Sequence, residues 1–80
     1  MPTRAPASSP LALAKDRARR AYMGARAADA PLSALLDRFY AETLTQVAGQ
    51  PAAKSAVMFT RIAILFEVVT DRRGWPERMR

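Results

Sequence analysis

The sequence predicts a small all-α protein of three helices, in which a basic N-terminal helix precedes a helical hairpin over residues 31–73 and the termini are extended. Three observations support this fold class. Bulky apolar residues recur at three- and four-residue spacing in residues 32–47 and 57–69. Proline and glycine fall between these apolar segments, where turns are needed. The 80 residues suffice for one domain with a small core.

Residues 1–9 contain two prolines among small polar residues and are expected to form a flexible arm. Ser9 followed by Pro10 is typical of a helix start, so helix 1 is predicted from Pro10 to about Ala28. Gly24 costs up to about 1 kcal/mol relative to alanine, so fraying of the last turns is an alternative. An apolar stripe of mostly small residues lets another helix approach closely. It consists of Leu11, Ala14, Ala18, Tyr22 and Ala25.

Helix 2 is predicted over roughly residues 31–48. Pro31 breaks the preceding helix, and Asp29 is a candidate N-cap whose side chain accepts hydrogen bonds. Gly49 is expected to stop the helix in a left-handed conformation, and Pro51 to start the next one, so that helices 2 and 3 form an antiparallel hairpin. The apolar face comprises Leu32, Leu35, Leu36, Phe39, Tyr40 and Val47.

Helix 3, about residues 51–73, carries two apolar faces separated by charge. The broad apolar face is Met58, Phe59, Ile62, Leu65, Phe66 and Val69, and the narrow apolar face is Val57, Ile64 and Val68. A basic row of Lys54, Arg61 and Arg72 lies between them, and the remaining side carries Thr60, Ala63, Glu67 and Asp71. The broad face is expected to pack on helices 1 and 2. The narrow face is then left for another chain, because one small hairpin cannot cover both.

The C-terminal segment admits further interpretations. The β-branched residues of helix 3 would also suit a buried strand, although its length and alanine-rich start favour a helix. Gly74 is expected to end the helix, with Pro76 preventing its continuation. Trp75 would then fold back as a cap contact, the alternative being a binding anchor. The predicted domain organisation is a single helical domain over residues 10–75 and a basic tail over residues 76–80.

Positive charge is concentrated at the two ends of the chain. Thirteen Lys and Arg residues oppose seven Asp and Glu, for a formal net charge of +6. Such ends attract phosphate, anionic lipid or an acidic protein surface. The candidate contacts for phosphate or an acidic partner are Lys15, Arg17, Arg19, Arg20, Arg26, Arg72 and Arg73.

Catalytic and cofactor chemistry finds little support in the sequence. The chain has no Cys and no His, and we expect no metal, no cofactor and no enzymatic activity. The segment at residues 48–55 resembles the end of a phosphate-binding loop, but alanines occupy its two required glycine positions. Ser55 adjoins Lys54, yet successive helical side chains point about 100° apart. Glu67 and Asp71 share a helix face and are best interpreted as its acidic side.

The leading hypothesis is a non-enzymatic helical interaction protein, either a homo-oligomer or a small subunit of a larger assembly. Its predicted interface is the narrow apolar face together with Arg61, which either selects an acidic partner group or extends to solvent. The alternative is a small nucleic-acid-binding regulator or ribonucleoprotein subunit that uses helix 1 and the C-terminal tail. A helix-turn-helix through Gly49 is disfavoured, because helix 3 offers mainly apolar side chains to base edges.

The expected localisation is intracellular. The cytoplasm is favoured, and the mitochondrial matrix is an alternative because residues 1–28 are rich in Arg, Ala and Ser like an import presequence. The apolar run of helix 3 is too short and too charged to predict a transmembrane segment.

Overall fold

The computed structural model describes the backbone of residues 9–78 and the side chains of residues 9–72. Three α-helices follow one another, α1 (Pro10–Ala28), α2 (Ser33–Val47) and α3 (Ala52–Arg78), with a 3₁₀ turn at Ala30–Leu32 before α2. The described backbone contains no strand. The predicted all-α, three-helix fold class is therefore confirmed, and the strand interpretation of α3 is wrong.

The start of α1 follows the predicted capping pattern, whereas the start of α2 does not. The Ser9 hydroxyl accepts a hydrogen bond from the Ala12 amide at 3.0 Å, with Pro10 in the first turn. The Asp29 side chain makes no capping hydrogen bond to the next turn. Its backbone carbonyl accepts from the Leu32 amide at 3.1 Å instead. The backbone closes a 3₁₀ turn there, so α2 begins at Ser33 rather than near Pro31.

The connection between α2 and α3 is a tight turn that requires glycine. Ala48 has φ −61° and ψ 126°, and Gly49 has φ +82°. The Gln50 amide donates to the Val47 carbonyl at 3.0 Å. These values match a type II turn with glycine at its third position. The predicted left-handed stop at Gly49 is confirmed.

The end of α3 lies further along the chain than predicted. The helix continues through Gly74 and Pro76 to Arg78, so residues 76–78 are helical rather than part of an extended tail. Glycine ends a helix only when it adopts left-handed φ, and proline has a φ that suits a helix although it removes one hydrogen bond. Neither residue therefore has to stop α3. The side chain of Trp75, with its predicted cap contact, lies outside the described residues.

The three helices run up, down and up. Along the α1–α2 pair, Arg26 and Tyr22 meet Asp37 and Tyr40 in reverse order, which makes these helices antiparallel. The most extensive packing joins α1 to α3. Small residues of the predicted alanine stripe make this close approach possible. The buried apolar core comprises Ala14, Ala18, Ala25, Leu36, Phe59, Ile62, Ala63 and Phe66.

Which side of α3 is buried differs from the predicted broad apolar face. Ala63 was assigned to the polar side but is completely buried. Leu65 was assigned to the broad face but is 44% exposed. Because α1 packs so closely on α3, the buried side shifts towards Ala63 and away from Leu65. On α2, likewise, Leu35 and Phe39 of the predicted apolar face remain exposed.

Replacing Gly24 by alanine is expected to stabilise the protein. Gly24 lies inside α1, and a β-carbon built on it would lie 3.6 Å from the Thr70 Oγ1, an ordinary van der Waals distance. Gly24→Ala should raise the free energy of unfolding by about 0.5–1 kcal/mol, since alanine restricts the unfolded chain and favours the helix. Urea denaturation measures the change. An unchanged or lower stability would show that the α1–α3 contact cannot take the methyl group.

Candidate interaction surface on the third helix

The narrow apolar face is exposed along α3. Val57 is 50%, Ile64 47% and Val68 47% exposed. At about 100° per residue, these side chains point away from the side of α3 that buries Phe59 and Phe66. The described part of the chain therefore leaves a row of β-branched side chains facing solvent, as predicted from the sequence.

The basic row follows the same exposed side of the helix. Lys54, Arg61 and Arg72 are all exposed, and none forms an ion pair with another described side chain. Leu65 lies beside them and adds an apolar side chain that was not expected at the surface. The exposed side of α3 thus combines aliphatic groups with three cations that pair with no described carboxylate.

A shallow groove of about 310 Å³ separates α2 from α3 next to this row. Its charged residues are Glu42 and Arg61, which stand on opposite helices. The remaining lining residues are Phe39, Thr43, Gln46, Met58, Ile62 and Leu65. The groove continues the exposed apolar surface of α3 towards α2.

Arg17 of α1 is held by α3. Its Nε and Nη2 donate to the two carboxylate oxygens of Glu67, both at 2.8 Å. The hydrogen bonds from Arg17 hold the pKa of Glu67 below its ordinary value, and Glu67 raises the pKa of Arg17. Glu67, interpreted from the sequence as part of a solvated acidic side, joins two helices in the structure.

The other arginines of α1 also have carboxylate partners. Arg20 and Arg19 both donate to Asp16. These two hydrogen bonds lower the pKa of the Asp16 carboxyl group, and the one from Arg20 has the larger effect. Arg26 contacts Asp37 of α2, with 2.9 Å between its Nε and the Asp37 Oδ1. Among the described candidate contacts for phosphate or an acidic partner, those without an ion pair are Lys15 and Arg72. The side chain of Arg73 lies outside the described residues.

A tyrosine cluster joins α1 to α2 and was not predicted from the sequence. The rings of Tyr22 and Tyr40 stack with centroids 4.3 Å apart and planes 10° apart. The Tyr22 hydroxyl donates to Asp37. This hydrogen bond raises the pKa of Tyr22, and burial of the hydroxyl contributes a smaller increase. Asp37 lies on the flank of α2 nearest α1, and only this position could have suggested its role.

The Arg17–Glu67 pair predicts a loss of stability in acid. Because the folded-state pKa of Glu67 lies below the ordinary 4.5, the unfolded chain binds the proton more readily. The contribution is fully present above pH 4.5 and disappears as the pH falls through the lowered value. Glu67→Gln should flatten the decline of Tm as the pH falls below 4.5, because glutamine has no carboxylate to protonate and no ion pair to lose. Parallel slopes in both proteins would contradict this role.

The fold and surface define a small all-α, three-helix protein with an exposed apolar and basic helix face. Among the described residues, no helix is both long and apolar enough to span a membrane. The same residues hold no cluster of three or more side chains suited to a metal ion. Comparisons with protein-family models, with curated proteins and with solved structures found no significant match to this chain.

Proposed function

We propose that the protein acts as a small helical interaction module, and that it contacts its protein partner through the narrow apolar face of α3. One observation carries this proposal: Val57, Ile64 and Val68 are about half exposed on the side of α3 opposite its buried aromatic residues. A contiguous exposed apolar surface costs free energy in water and is typical of a protein contact. The role is non-enzymatic.

The charges around this face support selectivity for the partner. The basic row lies beside the apolar side chains and is not neutralised by described carboxylates. Cations at the edge of an interface accelerate association with acidic groups and disfavour basic partners. Arg61 can make both an apolar and an ionic contact with the partner. Its aliphatic stem can lie along the apolar surface while its guanidinium reaches acidic groups at the edge.

Nucleic-acid binding through α1 has less support. Arg17, Arg19, Arg20 and Arg26 each contact a carboxylate within the chain, which reduces the positive potential that α1 offers to phosphates. A phosphate would have to compete with these ion pairs. Steep weakening of nucleic-acid affinity with salt, abolished by Arg19→Ala and Arg20→Ala, would restore this alternative.

The proposal is tested by placing a charge on the narrow apolar face. Ile64→Lys should reduce the native mass of the protein, in extracts of its own cell, to that of the 8.8 kDa chain, because burying an unpaired ammonium group at a contact costs several kcal/mol. Analytical ultracentrifugation with a fluorescent tag measures this mass. Folding should be retained, since Ile64 is half exposed in the single chain.

Leu44→Lys is the matched control. Leu44 is 44% exposed on α2, so the same change of charge falls on a similar side chain away from the narrow apolar face. Its native mass should equal that of the unmodified protein. If Ile64→Lys retains the full native mass, or both variants lose it, the narrow apolar face is not the contact surface.

A further inference from the structure

We infer that the partner on the narrow apolar face is a second copy of this chain, with the two α3 helices packed antiparallel. The inference rests on the proposed function and identifies its partner. It follows from the spacing, the charges and the exposure of side chains along one side of α3. These side chains, named here the heptad row, are Lys54, Val57, Arg61, Ile64, Val68 and Asp71.

The heptad row has the spacing of a coiled-coil seam. Its members follow one another at intervals of three, four, three, four and three residues, which is the alternation of a and d positions. All six side chains are exposed. Three of the six, Val57, Ile64 and Val68, are aliphatic side chains that a second helix would cover, and the other three are charged.

When two copies of the heptad row run antiparallel, each side chain faces one of compatible character on the second copy. In an antiparallel pair with its twofold axis between residues 62 and 63, Val57 faces Val68 of the second copy. Lys54 then faces Asp71 of the second copy, and the same contacts recur at the other end. Opposite charges therefore meet at both ends of the row, and aliphatic side chains meet between them.

A parallel pair would place identical residues, and therefore like charges, opposite each other. Arg61 would face Arg61 of the second copy at the centre, and the two Lys54 side chains would face each other at one end. In the antiparallel pair, Arg61 lies against Ile64 of the second copy. Its aliphatic stem packs there, and its guanidinium extends towards the groove that also contains Glu42. The charge pattern thus selects the antiparallel arrangement.

The apolar flank of α3 fits the same arrangement. Met58 and Leu65 lie one position beyond Val57 and Ile64 on the side of α3 that faces α2. In an antiparallel pair these flanking positions meet across the interface. Leu65, whose 44% exposure the single chain leaves unexplained, is then covered by Met58 of the second copy.

Cysteine cross-linking of the purified full chain tests the orientation. The protein has no cysteine of its own, so any disulfide that forms must join the introduced cysteines and shows that their two positions are in contact. Under oxidising conditions, a mixture of Val57→Cys and Val68→Cys chains should form a disulfide between the two variants. Neither variant should form one with itself, since like positions lie about 16 Å apart along an antiparallel pair and a disulfide spans less than about 7 Å.

A mixture of Leu44→Cys with Val68→Cys is the control and should not cross-link. Sedimentation should show a dimer of the unmodified chain, and Ile64→Lys should raise the dissociation constant at least about 100-fold, because it sets an added cation against Arg61 of the other chain at two places in each dimer. Disulfides between like positions would overturn the antiparallel arrangement. A monomer at every concentration would overturn self-association. The native mass of Ile64→Lys in cell extract would then decide separately whether a different protein occupies the same face.

Discussion

Phe66→Ala is expected to unfold most of the protein near physiological temperature. Phe66 is completely buried and contacts the rings of both Tyr22 and Tyr40, at centroid distances of 5.5 and 6.3 Å. Truncation removes this packing and leaves a cavity, at a cost of about 3–5 kcal/mol. A chain of this size has a total stability of roughly 4–12 kcal/mol. Calorimetry should show a fall in Tm of about 20 °C or more.

Phe39→Ala provides the matched control for this loss. Phe39 is 37% exposed at the edge of the groove between α2 and α3, so the same truncation removes less buried surface. It should cost about 1 kcal/mol, scaling with the smaller area withdrawn from water. Equal losses for the two variants would mean that the three helices do not pack around Phe66.

Ala18→Leu is expected to force α1 and α3 apart. Ala18 and Ala63 are both completely buried, on the two helices that share the most extensive packing. A leucine at this point has no space unless the helices separate, and such overpacking costs about 1–3 kcal/mol. Separation would also weaken the Arg17–Glu67 pair one residue away on α1. Thermal denaturation and the near-ultraviolet circular dichroism of the aromatic side chains should both report the change.

Ala27→Leu tests whether the effect depends on the contact. Ala27 belongs to the same helix and is exposed, so leucine there should change the stability by no more than about 0.5 kcal/mol. A destabilisation by Ala27→Leu as large as that by Ala18→Leu would attribute the loss to α1 itself rather than to its packing on α3.

Much of the fold was predictable from local chemistry. The hydroxyl of Ser9 beside Pro10 fixed the start of α1, and Gly49 fixed the turn before α3, because both depend on neighbouring backbone groups. The alanine stripe of α1 was likewise predicted from helical periodicity. The exposed narrow apolar face followed from the same periodicity, since it lies about half a turn away from Phe59 and Phe66.

What could not be predicted depends on how the helices pack. Periodicity places Leu65 and Ala63 on adjacent sides of α3 but does not say which side a neighbouring helix will cover. The close approach of α1 decided in favour of Ala63. The pairing of Arg17 with Glu67 joins residues 50 positions apart in the sequence, and no local pattern encodes such a distance. The positive charge that α1 presents to solvent was therefore overestimated from the sequence.

The central claim is that copies of the chain associate through the outward row of α3. Methyl NMR on the isotope-labelled full chain tests it directly, by dilution from about 1 mM to about 10 μM, a range that separates weak dimers from monomers. We predict that the methyl signals of Val57, Ile64 and Val68 shift with dilution while those of Leu13 and Leu44 stay fixed. Signals that stay fixed at all five residues in a chain that also sediments as a monomer, or shifts confined to Leu13 and Leu44, would contradict the account.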